Sequence, residues 1–95
     1  MDNYSVLMSV YALEKPNYLR QAIKSMQDQT VKTNDFVLIC DGPLTEELNK
    51  VIEEFGKFLH VVRLEKNVGL GNALNIGLSV CKNELIARMD SDDIS

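Results

Sequence analysis

Four short apolar runs alternate with three stretches of helical hydrophobic spacing, and that alternation constrains the fold more than any other property of the chain. Ser5-Val6-Leu7-Met8-Ser9-Val10, Phe36-Val37-Leu38-Ile39-Cys40, His60-Val61-Val62-Arg63-Leu64 and Glu84-Leu85-Ile86-Ala87-Arg88-Met89 read as strands. Leu19, Ala22, Ile23 and Met26 share one face of a first helix, with Pro16 suited to its first turn. Leu48, Val51, Ile52 and Phe55 mark a second helix, capped by Thr45 ahead of Glu46-Glu47 and stopped by Gly56. Leu70, Ala73, Leu74, Gly77, Leu78 and Cys81 give a third. This order predicts an α/β fold of four mainly parallel strands alternating with three helices, joined by right-handed crossovers. Continuous rather than alternating apolar strands agree, because both faces of such a sheet are covered. The third run is shorter and less apolar, which places it nearer a sheet edge.

Ninety-five residues make one small domain, residues 1–95, with no repeat, low-complexity tract or linker composition. Little chain follows the fourth strand and no helix covers it, so the sequence reads as a piece of a longer protein with an open sheet edge, a route to self-association. A formal charge of -4 gives no counterion-release drive toward nucleic acid or anionic lipid. Hydrophobic residues at 45% and charged residues at 25% match a soluble globular chain. Cys40 and Cys81 lie in apolar stretches without Cys-x-x-Cys spacing, and His60 is the one histidine. That excludes a disulfide framework, argues against structural zinc and fits buried thiols in a reducing cytoplasm. No apolar run reaches the roughly 18 residues of a membrane span, and the N-terminus lacks a signal-like start.

Open parallel sheets bind ligands outside the carboxyl ends of their strands, where strand order reverses. Those ends carry Tyr11, then Asp41-Gly42-Pro43, then Lys66-Asn67, then Asp90-Ser91-Asp92-Asp93. An aromatic ring, a lone carboxylate, an amide and an acidic cluster suit a nucleotide. Asp90, Asp92 and Asp93 crowd three charges into four residues, either as a solvated loop or as a magnesium or manganese site that leaves positions for a diphosphate. Asp41 fits an Asx-turn or a carboxylate accepting from a base or ribose. Tyr11 fits a core-edge aromatic or a cover for a base ring. Arg88 lies within a strand and calls for a nearby carboxylate, Lys66 reads as a solvated loop cation or a phosphate contact, and His60 as ordinary strand.

Gly69-Leu70-Gly71 follows the third strand, not the first, and Leu74 stands where a dinucleotide fingerprint needs its third glycine. A nicotinamide or flavin site is therefore rejected, and the glycines read as a tight start to the third helix or as backbone N–H groups open to a ligand. One histidine and no nucleophile elbow leave no hydrolase triad. A phosphoacceptor receiver would need paired acids after the first strand, where Tyr11-Ala12 stand. A sugar-phosphate nucleotidyltransferase would need a Gly-rich basic loop there.

Ser9-Val10-Tyr11, Ser25-Met26-Gln27-Asp28-Gln29-Thr30, Asp41-Gly42-Pro43, Asn67-Val68-Gly69-Leu70-Gly71-Asn72-Ala73-Leu74-Asn75 and Ala87-Arg88-Met89-Asp90-Ser91-Asp92-Asp93 together resemble bacterial family 2 glycosyltransferases. The resemblance covers essentially the whole chain, in order. It implies the N-terminal, nucleotide-binding part of a GT-A (Rossmann-like) fold, cut after the Asp-x-Asp motif. It implies that Tyr11 and Asp41 bind the nucleobase, commonly uracil. Asp90 and Asp92 would hold ribose and a divalent ion, Mn2+ or Mg2+, on the diphosphate. Asn67 and Arg88 would line the nucleotide pocket, with Asp93 a neighbour. Ala12 departs from the asparagine many members carry after the tyrosine. The donor would be a UDP-sugar and the acceptor a glycan or lipid-linked sugar, in a cytoplasmic enzyme peripheral to the inner membrane face. The general base of the inverting transfer would lie in a part of the family's fold absent from this chain, leaving the segment inactive alone. The alternative is a non-catalytic nucleotide-binding or self-associating α/β domain, without nucleic-acid partners.

Overall fold

The computed structural model describes residues 4–29 and 33–90. Its elements follow the order β1 (Ser5–Val10), α1 (Pro16–Gln27), β2 (Asp35–Cys40), α2 (Glu46–Phe55), a 3-10 turn (Gly56–Phe58), β3 (Leu59–Arg63), α3 (Leu70–Val80) and β4 (Ile86–Asp90). All four strands are parallel, in the sheet order β3-β2-β1-β4. The chain steps outward from β1 to β3, then crosses back to add β4 on the far side of β1. Strand order thus reverses between β1 and β4. The less apolar β3 is an edge, as its sequence predicts, and β4 is the other.

Alternation along the strands sorts the core into two layers. Val6, Met8, Val10, Phe36, Leu38 and Cys40 face α1 and α2, whose Leu19, Ala22, Ile23, Leu48, Val51 and Ile52 are all buried. Leu7, Val37 and Ile39 face α3 through Ala73. Complete burial of each such aliphatic side chain contributes about 1.5–3 kcal/mol, so the central pair β1 and β2 dominates stability. Pro16 begins α1, whose fixed φ and missing N–H suit that position. Thr45 caps α2, its Oγ1 accepting from Leu48 N at 3.2 Å. Gly56 ends that helix at a φ of 49°.

α3 departs from its sequence pattern. Ala73 and Gly77 are buried, whereas Leu70 is 57% exposed and Leu78 is also exposed. The reason is close packing at Gly77, where a Cβ would fall on Leu7 Cδ1 and lie 3.0 Å from Ile39 Cγ1. The helix therefore meets the sheet along its small residues, and the bulkier Leu70 and Leu78 stay outside the contact.

A polar network fastens the opposite, amino-terminal end of the sheet. Ser5 Oγ donates to the buried Asp35 Oδ2 at 2.8 Å, and Lys82 N donates to the same oxygen at 2.8 Å. Asn83 donates to Ser5 Oγ from both its backbone N and its Nδ2, each at 3.1 Å. These bonds tie the α3–β4 turn beneath β1 and β2, and so set where β4 begins.

Candidate functional site

The sheet register brings the strand ends to one rim. Val10 pairs with Cys40, Cys40 with Arg63, and Ser9 with Asp90. Tyr11 and Asp41 therefore leave neighbouring strands side by side, about 4.8 Å apart in the pairing direction. Asp41 N donates to Val10 O at 2.8 Å and Leu64 N to Cys40 O at 3.0 Å, which extends both ladders to the rim. Tyr11 is 40% exposed, and its carbonyl accepts from Glu14 N at 3.1 Å in the turn that follows. Asp90 ends β4 on the other side of β1, across the reversal in strand order. Asp92 and Asp93, with the side chain of Asp90, lie outside the described residues.

Asp41 is the most constrained of these groups. It is only 4% exposed. Its Oδ1 accepts from Val68 N at 2.7 Å and its Oδ2 from Gly69 N at 3.2 Å, while its carbonyl accepts from Asn67 Nδ2 at 3.3 Å. Two backbone N–H groups on one carboxylate are charge-assisted and strong. Each oxygen keeps further acceptor capacity. The local fold behind this arrangement is Gly42, at a φ of 90°, which turns the chain so that the β2–α2 turn lies against the Lys66–Asn67 backbone. Gly69, also at a φ of 90°, starts α3, and Asn72 Nδ2 donates to Val68 O at 2.9 Å. Both glycines adopt a conformation that a side chain disfavours.

The remaining expected residues sort by exposure. Asn67 and Lys66 are exposed in the β3–α3 loop, beside Asp41. Arg88 is exposed on the edge strand β4, opposite Leu7, and has no ion-pair partner among the described residues. The carboxylate partner expected for it is not needed there, because an edge strand leaves its charge to water. His60 is an exposed β3 residue with Nδ1 3.9 Å from Asp35 Oδ1, far from the rim. Neither thiol offers a nucleophile. Burial pushes the Cys40 thiol up despite the opposing Arg63 charge. Cys81, half-buried rather than fully buried as expected, is raised first by burial and then by Asp35, against the hydrogen bonding of Ser5. Among the described residues no three His, Cys, Asp or Glu side chains converge as metal ligands.

The chain matches the description "Glycosyl transferase family 2" over residues 5–95. It belongs to that family. It is 46% identical over 93 residues to the amylovoran biosynthesis glycosyltransferase AmsE of Erwinia amylovora, covering 96% of this chain and 35% of that protein. It is 44% identical over 94 residues to the Escherichia coli UDP-Gal:alpha-D-GlcNAc-diphosphoundecaprenol beta-1,3-galactosyltransferase, covering 97% of this chain and 34% of that one. The chain thus spans about a third of the length of these curated relatives. The crystal structure of S. aureus TarS 1-349 superposes with a TM-score of 0.80 at 28% identity, over 96% of this chain and 28% of that one. The same protein in complex with UDP gives 0.79 at 26% identity, over 95% and 27%. This family 2 chain accordingly has the partial GT-A arrangement its sequence resembles. No helix among its described residues is long and apolar enough to cross a membrane.

The sequence pattern locates the four strand ends to within a residue, but two contacts that build the rim are not legible in it. The contact of the Asp41 carboxylate with Val68 and Gly69 spans 27 and 28 residues, and no local pattern announces it. The approach of Gly42 to Asn67 had a signal in Asp-Gly-Pro, though that cluster specifies a turn and not its neighbour.

Proposed function

We propose that this chain supplies donor binding to a nucleotide-sugar-dependent glycosyltransferase, with a UDP-sugar as the donor. The observation that carries this reading is the gathering of Tyr11, Asp41 and Asn67 with the end of β4 around the point where strand order reverses, the position at which open α/β sheets bind ligands. Support comes from the UDP complex of the similar TarS and from the UDP-Gal named for the Escherichia coli relative. Tyr11 covers the base. Asp41, already holding two N–H groups, offers remaining lone pairs to a base donor, and Asn67 and Arg88 flank the nucleotide.

Asp90 and Asp92 are hard oxygen donors of the kind Mn2+ and Mg2+ take, and the donor set fits such an ion. When bound, the ion would offset charge on the diphosphate leaving group. The whole protein transfers the sugar in one displacement. An acceptor hydroxyl bonds to the anomeric carbon as the bond to the diphosphate breaks, and configuration inverts. The hydroxyl proton goes to a general base that another part of the enzyme supplies, so these residues alone bind donor without turnover. The acceptor is a glycan or lipid-linked sugar in polysaccharide or glycoconjugate synthesis, at the cytoplasmic face of the inner membrane, a reading favoured by the amylovoran and diphosphoundecaprenol names of the relatives.

Calorimetric titration with UDP, with and without Mn2+, tests this. Binding strengthened by the ion, and no longer so in Asp92→Ala, is expected. Equal affinity for all nucleoside diphosphates, or none, would overturn it.

A further inference from the structure

Gly42 stands where the β2–α2 turn crosses the β3–α3 loop. At its φ of 90°, a Cβ would lie 2.8 Å from Asn67 N and 3.2 Å from the Lys66 carbonyl carbon. These are backbone atoms, which cannot swing aside as a side-chain tip can. The neighbouring bonds all join the same two segments: Asn67 Nδ2 to Asp41 O, Val68 N to Oδ1 and Gly69 N to Oδ2. Asn67 is exposed, and its Oδ1 accepts no hydrogen bond from the described residues. One end of its amide is therefore anchored and the other is an open acceptor on the rim.

We infer that Gly42 is a positioning residue of the donor pocket: having no side chain, it lets the β2 turn fix Asn67 with Oδ1 open to a hydrogen-bond donor of the nucleotide. This rests on the donor-site reading above. Any residue with a Cβ at this position must push the Asn67 backbone outward, which lengthens the three bonds to Asp41 and moves the open acceptor with them. Gly42 itself touches no ligand, so its effect on affinity passes through Asn67.

A double-mutant cycle in UDP affinity measures that dependence. Titration of wild type, Gly42→Ala, Asn67→Ala and the double variant is read by calorimetry, with circular dichroism fixing the folded fraction. Each single change is expected to weaken UDP binding about tenfold, the scale of one hydrogen bond, and the double variant to bind no more weakly than either single. If Gly42→Ala does not fold, the cycle runs with Asp41→Asn, whose Nδ2 donates and cannot accept the N–H that one carboxylate oxygen holds; its loss should then shrink at least about threefold when Asn67 is already Ala. Losses that multiply, or unchanged affinity in the Gly42 variant, overturn the positioning role alone; unchanged affinity in the Asp41 variant overturns it together with the contact of Asp41 with the base. A wild-type protein that fails to bind UDP overturns the donor-site reading, and this inference with it.

Discussion

At the scale of single residues, two buried carboxylates organise opposite ends of the sheet. Asp41 holds the start of α3 at the rim, and Asp35 holds the α3–β4 turn at the other end. Asp41→Ala removes an acceptor from two N–H groups at once and is expected to cost about 2–3 kcal/mol, read from the urea midpoint. The thiols carry a pH dependence. Both are raised in the folded state above the 9.0 of an ordinary thiol. Their contribution is therefore complete below that value and fades as pH rises through the raised folded values. The urea midpoint should fall between about pH 8 and about pH 10, and the fall should be smaller in a Cys40→Ala, Cys81→Ala double variant. An equal fall in both proteins would remove the thiols from the account. These residue types were visible in sequence, but their partners were not, since each bond joins segments 26 or more positions apart.

Among the elements, α1 and α2 behave as their periodicity and caps require. Thr45→Ala should cost about 1 kcal/mol in thermal or chemical unfolding, the loss of one N-cap bond. α3 is the element whose sequence misleads. Its leucines suggest the buried face, yet Gly77 decides it, by admitting Leu7 and Ile39 where a side chain would stand. Gly77→Ala sets a gain in helix propensity of about 1 kcal/mol against overpacking of about 1–3 kcal/mol. Net destabilisation is expected, because Leu7 and Ile39 are themselves fully buried and have little room to yield. A raised melting temperature in this variant would show that α3 can lift off the sheet at no cost.

For the whole molecule, the strand order of the described residues leaves β4 as an edge, with the exposed Ala87 and Arg88 on it and the 63% exposed Leu85 just before it. Such an edge favours pairing with another chain, and the Arg88 charge opposes it. Concentration-dependent dimers are expected in light scattering, and Ala87→Lys should reduce them. A monomer at every concentration would remove edge pairing. The sequence by itself determined the fold class, the order of elements, the starts of α1 and α2 at Pro16 and Thr45, and the positions of the strand ends, because periodicity and capping are local properties. It also carried the family, since the motifs are contiguous. Only the tertiary structure decided that β4 joins β1 rather than β3, that α3 packs through Gly77, and that Gly42 and Asp41 clamp Asn67. Those outcomes depend on crossovers and on contacts between distant segments, and a linear pattern does not encode which pair of turns will meet.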